Sequence, residues 1–322
     1  MLEYFIKRLL MIIPKLLIIT LLIFFGLELL PIDPLTIAMD PDTAIGMSEE
    51  QLEALREEKG LNDPAPVRYV RWLGNLCKGD FGYSLFTGIA ISELLATRFP
   101  ATLELCLLAT LLSSVLGILL GCLSSRFKNS LIDYGNTVVG LVGTSVPGFF
   151  FAMCFILVFS IQLKWLPTGG RMTAGKTAFF DRIEYMVLPT VCLAITHIAG
   201  LMRLTRNSML DVINKDYVKT ARAKGESETG IFVKHIFRNG CTPVVLSLLG
   251  RLSVLVSGTT VIETVFNYPG MGLLLIDSIT NNDMPVAMFI MLLSAIMVLI
   301  ISFFGDIAIA LLDPRVRFGK EA

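Results

Sequence analysis

Long apolar runs alternate with short polar segments along the chain, and the lengths of the runs organise it. Five are long enough to cross a hydrocarbon core, which takes about 20 residues of helix. They lie at about Leu9–Leu30, Thr102–Leu123, Val138–Leu163, Val244–Phe266 and Val286–Leu312. A sixth, Met186–Leu204, is shorter and contains Pro189, Thr196 and His197, yet it must span if the flanking charges are to make sense. The pattern predicts an all-α membrane protein with six transmembrane helices. The first run follows Lys7 and Arg8 as a signal peptide would, but it exceeds a signal core in length. Its exit, Pro31-Ile32-Asp33-Pro34, also lacks a small-residue cleavage site, so a retained span is expected.

The polar segments divide the chain near residue 100. Residues 1–100 read as one span followed by an extracytoplasmic cap, and 101–322 as a five-span core with a cytoplasmic loop at 205–240. In the cap, Ser48 with Gln51 makes a capping box that opens a helix, which Gly60 ends. The aromatic stretch Tyr69–Gly74 and the turn Gly79-Asp80-Phe81-Gly82 predict compact structure, with Trp and Tyr placed to rest at the membrane interface. In the core, Gly117 and Gly121 form a G-x-x-x-G that lets another helix approach closely. Pro147-Gly148 interrupts the third span after Thr144 and Ser145, which is either a simple kink or a face turned toward the bundle or a wet path.

Composition agrees with the bilayer as solvent: 54% hydrophobic, 17% charged, and a mean hydropathy of +0.72. Net charge is zero, which gives no footing for a nucleic-acid partner. Lys and Arg placement orients the spans. With the N-terminus inside, eight basic residues fall between Arg203 and Arg238, while the short outer loop Asn267–Pro285 has none, so both termini are assigned to the cytoplasm. Of six cysteines only Cys77 faces outward, so no extracytoplasmic disulfide is expected, and no Cys/His spacing suits a metal.

Candidate chemistry is sparse. Gly170-Arg-Met-Thr-Ala-Gly-Lys176-Thr177 matches G-x-x-x-x-G-K-[ST], but a phosphate-binding loop needs a strand before it and a helix after it, and this stretch follows a span on the outer side. No H-E-x-x-H or G-x-S-x-G is present, so no catalytic residue is assigned. His197 reads as a hydrogen-bonded packing residue in the absence of a nearby carboxylate. Arg251 lies about 12 Å in from Pro243 and Asp306 about 9 Å in from Leu312, at about 1.5 Å per residue, and both spans end on the same side. The two are expected to pair, the alternative being that Arg251 snorkels to the headgroups.

The cytoplasmic loop carries the strongest signal. Asp211–Gly225 has helix formers with Val212, Ile213, Tyr217 and Ala221 at helical spacing and Gly225 as the stop. A second amphipathic helix is predicted from about Glu228 to Arg238. Two short helices meeting at a glycine make a compact knob, and the strip of Tyr217 and Ala221 suits a protein groove.

At this loop the sequence resembles a known family. Asp216-Tyr217-Val218-Lys219-Thr220-Ala221-Arg222-Ala223-Lys224-Gly225, followed by Arg238-Asn239 and Pro243, looks like the coupling loop of binding-protein-dependent ABC importer permeases, dipeptide/oligopeptide/nickel branch. Further matches run the length of the chain: Gly60-Leu-Asn-Asp-Pro64, Gly79-Asp-Phe-Gly82, Pro100-Ala-Thr-Leu-Glu-Leu105, Glu263-Thr-Val-Phe266, Pro269-Gly-Met-Gly272 and Asp313-Pro-Arg-Val-Arg317. The family's E-A-A-x-x-x-G reads Lys219-Thr220-Ala221 before Gly225, a change this branch also tolerates.

The resemblance implies a type I importer permease fold, the first of two homologous permease subunits in a bacterial cytoplasmic (inner) membrane. Two ATP-binding subunits would carry the ATP and Mg, leaving no cofactor on this chain, and an extracytoplasmic solute-binding protein would deliver the cargo. Membrane lipid is the remaining partner. Thr144, Ser145, Pro147 and Glu263 are the candidate translocation-path residues. Di- or oligopeptides are the first expectation for the cargo, with nickel, metal chelates or opines open on the same architecture. A stand-alone ion-coupled transporter is the rival from another class.

Overall fold

The computed structural model describes residues 2–29, 49–58, 60–173 and 179–312. Their regular structure is helical, and apart from one antiparallel bridge between Tyr83 and Ala90 the described residues form no strand. In chain order the helices are α1 (Leu2–Glu28), α2 (Glu49–Glu58), α3 (Ala65–Cys77), α4 (Ile91–Arg126), α5 (Leu131–Ser145) and α6 (Gly148–Phe155), the last continuing as a π-helical stretch, Ile156–Gln162. After a 3₁₀ turn at Phe179–Arg182 come α7 (Ile183–Ile213), α8 (Asp216–Ala223), α9 (Glu228–Ile231) with a π-helical continuation Phe232–Phe237, α10 (Arg238–Val265), α11 (Met271–Thr280) and α12 (Met284–Leu312).

Each predicted span has a helix over it. Among the described residues four helices are long and apolar enough to cross a membrane, and α5 with α6 and its π-helical continuation forms a fifth candidate bent by 102°. The remaining stretch, Val244–Phe266, is covered by α10, whose central side chains lie outside the described residues. The bend falls at Val146-Pro147, where proline has no N–H to donate and helix α6 restarts with Pro147 at its cap. Ser48, the expected cap of the first cap-region helix, lies outside the described residues; Gly60 does close that helix, with φ +65°.

Two compact units form. One comprises Leu2–Pro100 with Gly270–Leu299, the other Ala101–Pro269 with the chain from Ile300 on. In the first unit, α3 packs on α1: Tyr69 is buried between Phe24 and Phe25, and its hydroxyl meets the Thr20 hydroxyl at 2.9 Å. An ion pair between Arg68 and Glu28 closes the same seam. The turn at Gly79 and Gly82 brings Phe81 onto Phe289, and buried Asp283 accepts from Ser84 Oγ (2.5 Å) and Leu85 N (3.1 Å).

In the second unit α7 is the hub, packed by α10, α5 and α6. Small residues make this possible. At Gly117 an added Cβ would stand 2.9 Å from Leu201 Cβ, and at Gly121 it would stand 2.5 Å from Thr205 Cβ and 2.7 Å from the Met202 carbonyl oxygen. The G-x-x-x-G is therefore a helix-packing device, as its spacing predicts.

Candidate functional site

The knob is built as a small folded body at one end of the second unit. Helix α7 stops at Ile213, the backbone turns through Asn214 and Lys215, and α8 starts afresh at Asp216. That restart resets the helical phase. Within α8, Tyr217 and Ala221 keep their i,i+4 spacing, but the buried face is centred between Val218 and Ala221, which leaves Tyr217 at its edge, 45% exposed. Val218 and Ala221 join Met209, Ile231 and Ile236 in one apolar core. Asp216, Tyr217, Lys219, Thr220, Arg222, Ala223, Lys224 and Gly225 remain exposed.

Gly225 has φ +79°, a conformation costly for any side-chain-bearing residue, and ends α8. Ser227 then caps α9 by accepting from Gly230 N. Charge pairs close the two arms on each other. Arg222 grips Glu228 through two bonds of 2.6 and 3.1 Å, and Glu226 takes Lys234 and His235, each at 3.0 Å.

The bonds from Lys234, then His235, hold the Glu226 carboxyl below its usual range, and Arg222 does the same for Glu228. A carboxyl with a depressed folded pKa contributes stability above its unfolded value, about 4.3, and loses it as pH falls through the folded one. The carboxylate contribution to knob order is therefore expected to be flat above about pH 5 and lost below about pH 4. A spin label at position 224, on a background without native cysteines, should become more mobile only in that acid range.

Behind the knob, an ion pair fastens α5 to α7. Arg206 donates Nε and Nη2 to the two oxygens of Asp133 at 2.7 and 2.8 Å, and Asn129 N adds a third bond. The Asp133 side chain is only 3% exposed. At the opposite end of the unit, Glu104 accepts from Arg171 (2.9 Å), Arg182 (3.0 Å) and the Tyr268 hydroxyl (3.4 Å). Burial first, with the Glu104 charge second, pushes the Tyr268 phenol up to about 12, which keeps it a donor.

The loop that supplies Arg171 is tied to the end of α10 by Gly170 N donating to the Phe266 carbonyl at 2.9 Å. Gly169 lies so close to that carbonyl that a Cβ would collide with it. Gly169→Ala should therefore displace the loop and lower the melting temperature of the detergent-solubilised protein by several degrees. An unchanged melting temperature would mean the loop relaxes freely. The same contacts account for the described part of the phosphate-loop lookalike: Gly170 bonds Phe266, Arg171 bonds Glu104, and no strand precedes it. Positions 174–178 lie outside the described residues.

A family comparison decides what such a bundle with a knob is. Residues 1–106 and 113–318 match the two parts of one family, described as the N-terminal membrane component and the inner membrane component of binding-protein-dependent transport systems. The chain belongs to this family.

Its relatives include the oligopeptide transport system permease protein AppB of Bacillus subtilis, 42% identical over 99% of this chain and 100% of that one. A putative peptide permease protein of Brucella suis is 40% identical over 98% and 99% of the two chains. The di/tripeptide transport system permease protein DppB of Pseudomonas aeruginosa is 35% identical, again over 98% and 99%. Among solved structures, the inward-facing MetNI methionine ABC transporter aligns with 69% of this chain and 97% of that one at a TM-score of 0.56 and 17% identity, which shows a shared type I importer permease fold. The protein is thus an inner-membrane transport component with several apolar helices.

Within the family frame, the other predicted residues take definite places. Thr144, Ser145 and Pro147 are exposed at the break between α5 and α6, Thr144 bonding back to the Gly140 carbonyl at 3.0 Å. Glu263 is fully buried on α10, where it accepts from Thr102 Oγ1 at 2.7 Å. Arg251 directs its bonds to the His197 carbonyl and Ser247 Oγ, both at 3.2 Å, and Asp306 is half-buried on α12. A bond between Arg251 and Asp306 stays a proposal. The Asp133–Arg206 and Glu104–Arg171–Arg182 networks escaped the sequence reading, since their members are 67 to 78 residues apart.

Proposed function

We propose that this chain is a transmembrane permease subunit of an ATP-driven peptide importer, with both termini in the cytoplasm. A homologous second permease subunit completes the path, two ATP-binding subunits hydrolyse ATP, and an extracytoplasmic binding protein delivers di- or oligopeptides. ATP and Mg are held by the ATPase subunits, and the present chain is not itself an enzyme.

The knob supports this reading above all. Its outer face is polar and exposed while its inner face is packed onto the ends of α7 and α10, so a push on α8 is delivered to two spans at once. ATPase closure would move it as a rigid body and swing those spans between inward and outward access. Peptide cargo follows from relatives named as peptide permeases that align over nearly the whole of both chains. The test is purification and reconstitution. The subunit should co-purify with a second permease and two ATP-binding proteins, and vesicles of the complex should accumulate peptide only with ATP and binding protein present. Purification of the chain as a self-sufficient, ion-driven carrier would overturn the reading.

A further inference from the structure

Helix α3 sits lower beside its neighbours than a helix surrounded by water would. From Leu9 to Glu28, α1 measures about 30 Å at about 1.5 Å per residue, the thickness of a hydrocarbon core, so Glu28 marks one boundary of that core. The α3 contacts run inward from there. Arg68 pairs with Glu28 at the boundary, Trp72 packs on Phe24 about 6 Å in, and the Tyr69 hydroxyl meets Thr20 about 12 Å in. Helix α12 gives the same level independently. Met288, about 6 Å from the start of α12, joins Phe24 and Tyr69 in one buried cluster. Phe81, just beyond α3, lies on Phe289 with ring centroids 4.4 Å apart.

The residue pattern of α3 fits that level. At about 100° per residue, Tyr69, Trp72 and Leu73 share the face that packs on α1. One flank of this face carries Pro66, Val67, Val70, Gly74 and Cys77, and the other carries Arg68, Arg71 and Asn75. The apolar flank is uncovered: Val67 is 47% and Val70 66% exposed, Pro66 and Cys77 are exposed, and nothing stands within 4 Å of a Cβ at Gly74. A helix divided in this way lies in an interface, its apolar side among acyl chains and its polar side toward the headgroups. Single exposed valines are ordinary on a surface in water, but an entire flank at the level of Phe24 calls for an apolar neighbour.

We propose that α3 is an interfacial anchor whose Val67, Val70 and Gly74 flank binds the acyl chains of phospholipid. The leaflet is the one at the Glu28 end of α1, extracytoplasmic in the topology proposed above, and the proposal is independent of the solute carried. Depth selects the occupant, because a protein working in the aqueous phase does not reach a surface level with Phe24. Helix α1 exposes Leu17, Ile18 and Leu22 next to the same seam, the kind of surface a span turns to lipid. The charges agree with this placement. Arg68 neutralises Glu28, the carboxylate that the hydrocarbon boundary would penalise, and Arg71 on the polar flank is held by Asp63. The seam with α3 thereby moors the outer end of α1, since α1 cannot slide along its axis without dragging an amphipathic helix through the interface.

The test is photocrosslinking in the complete transporter, reconstituted in radiolabelled phospholipid. The photoreactive residue p-benzoylphenylalanine replaces Val70 and, in a separate protein, Asn75 on the opposite flank. Illumination should attach phospholipid to this chain at position 70 at least about fivefold more than at position 75, as expected of an interfacial helix with one side among acyl chains. Position 67 should exceed position 71 in the same way, so that no single perturbed site decides the result. Crosslinking of positions 67 and 70 to another subunit in place of lipid would assign the flank to a protein interface and overturn the proposal. Equal lipid labelling on the two flanks, or none on either, would show that α3 is not set into the bilayer by its apolar side and would overturn it as well.

Discussion

Ala221→Asp should abolish transport while the protein still inserts and accumulates in the membrane. The Ala221 methyl is 7% exposed and shares an apolar cluster with Val218, Met209, Ile231 and Ile236. A carboxylate placed there is either buried unpaired, at a cost on the order of 3–5 kcal/mol, or it drives α8 off its seat. Both outcomes separate the knob from the spans behind it. Gly225→Pro reaches the same end through the backbone. Proline holds φ near −65°, whereas this position requires +79°, so the turn joining α8 to α9 cannot close. The readout is ATP-dependent uptake in vesicles beside membrane abundance by immunoblot. Wild-type uptake by both variants would remove the knob from the mechanism.

Gly121→Leu should fail one step earlier, in assembly of the bundle. The new side chain would enter a contact where even a Cβ meets Thr205 Cβ at 2.5 Å and, more seriously, the Met202 carbonyl at 2.7 Å. A side chain can rotate away from an intruder, but helix backbone cannot without moving the helix. Overpacking at a yielding site costs about 1–3 kcal/mol, and the cost here should exceed that range. Gly135→Leu is the matched control, since nothing lies within 4 Å of its Cβ position. Thermal unfolding in detergent should separate the two variants clearly, and equal stabilities would show that α4 and α7 do not press together at Gly121.

Features set by neighbours along the chain were legible in advance. Apolar runs placed the spans because a helix must be long and apolar to cross lipid. Pro147 announced the break because proline lacks a donor, and Gly117 with Gly121 announced a close helix contact because only small residues permit one. The knob was legible as two short helices and a glycine, and its inner face was not. Counting Val212, Ile213, Tyr217 and Ala221 as one face assumes an unbroken helix from Asp211, whereas the turn at Asn214-Lys215 resets the register, so that Val218 and Ala221 share the buried face and Tyr217 lies at its exposed edge. Charged partners far apart in sequence were out of reach. Nothing local to Asp133 says that its carboxylate will meet Arg206, and nothing near Ser84 points to Asp283, 199 residues on. Such pairs exist only once the helices have packed.

The run from Glu228 to Val265 has a mechanical consequence. Helix α9, its π-helical continuation and α10 follow one another without a break in helical residues, so half of the knob and a whole span form one stiff rod. At about 1.5 Å per residue the rod is about 57 Å long, and a tilt of about 5° at the knob would carry the far tip about 5 Å. A modest stroke on one side of the bilayer becomes a side-chain-sized displacement on the other. Pro243, a short way into α10, is where the rod is best able to flex, and its stiffness would set how much of the stroke arrives.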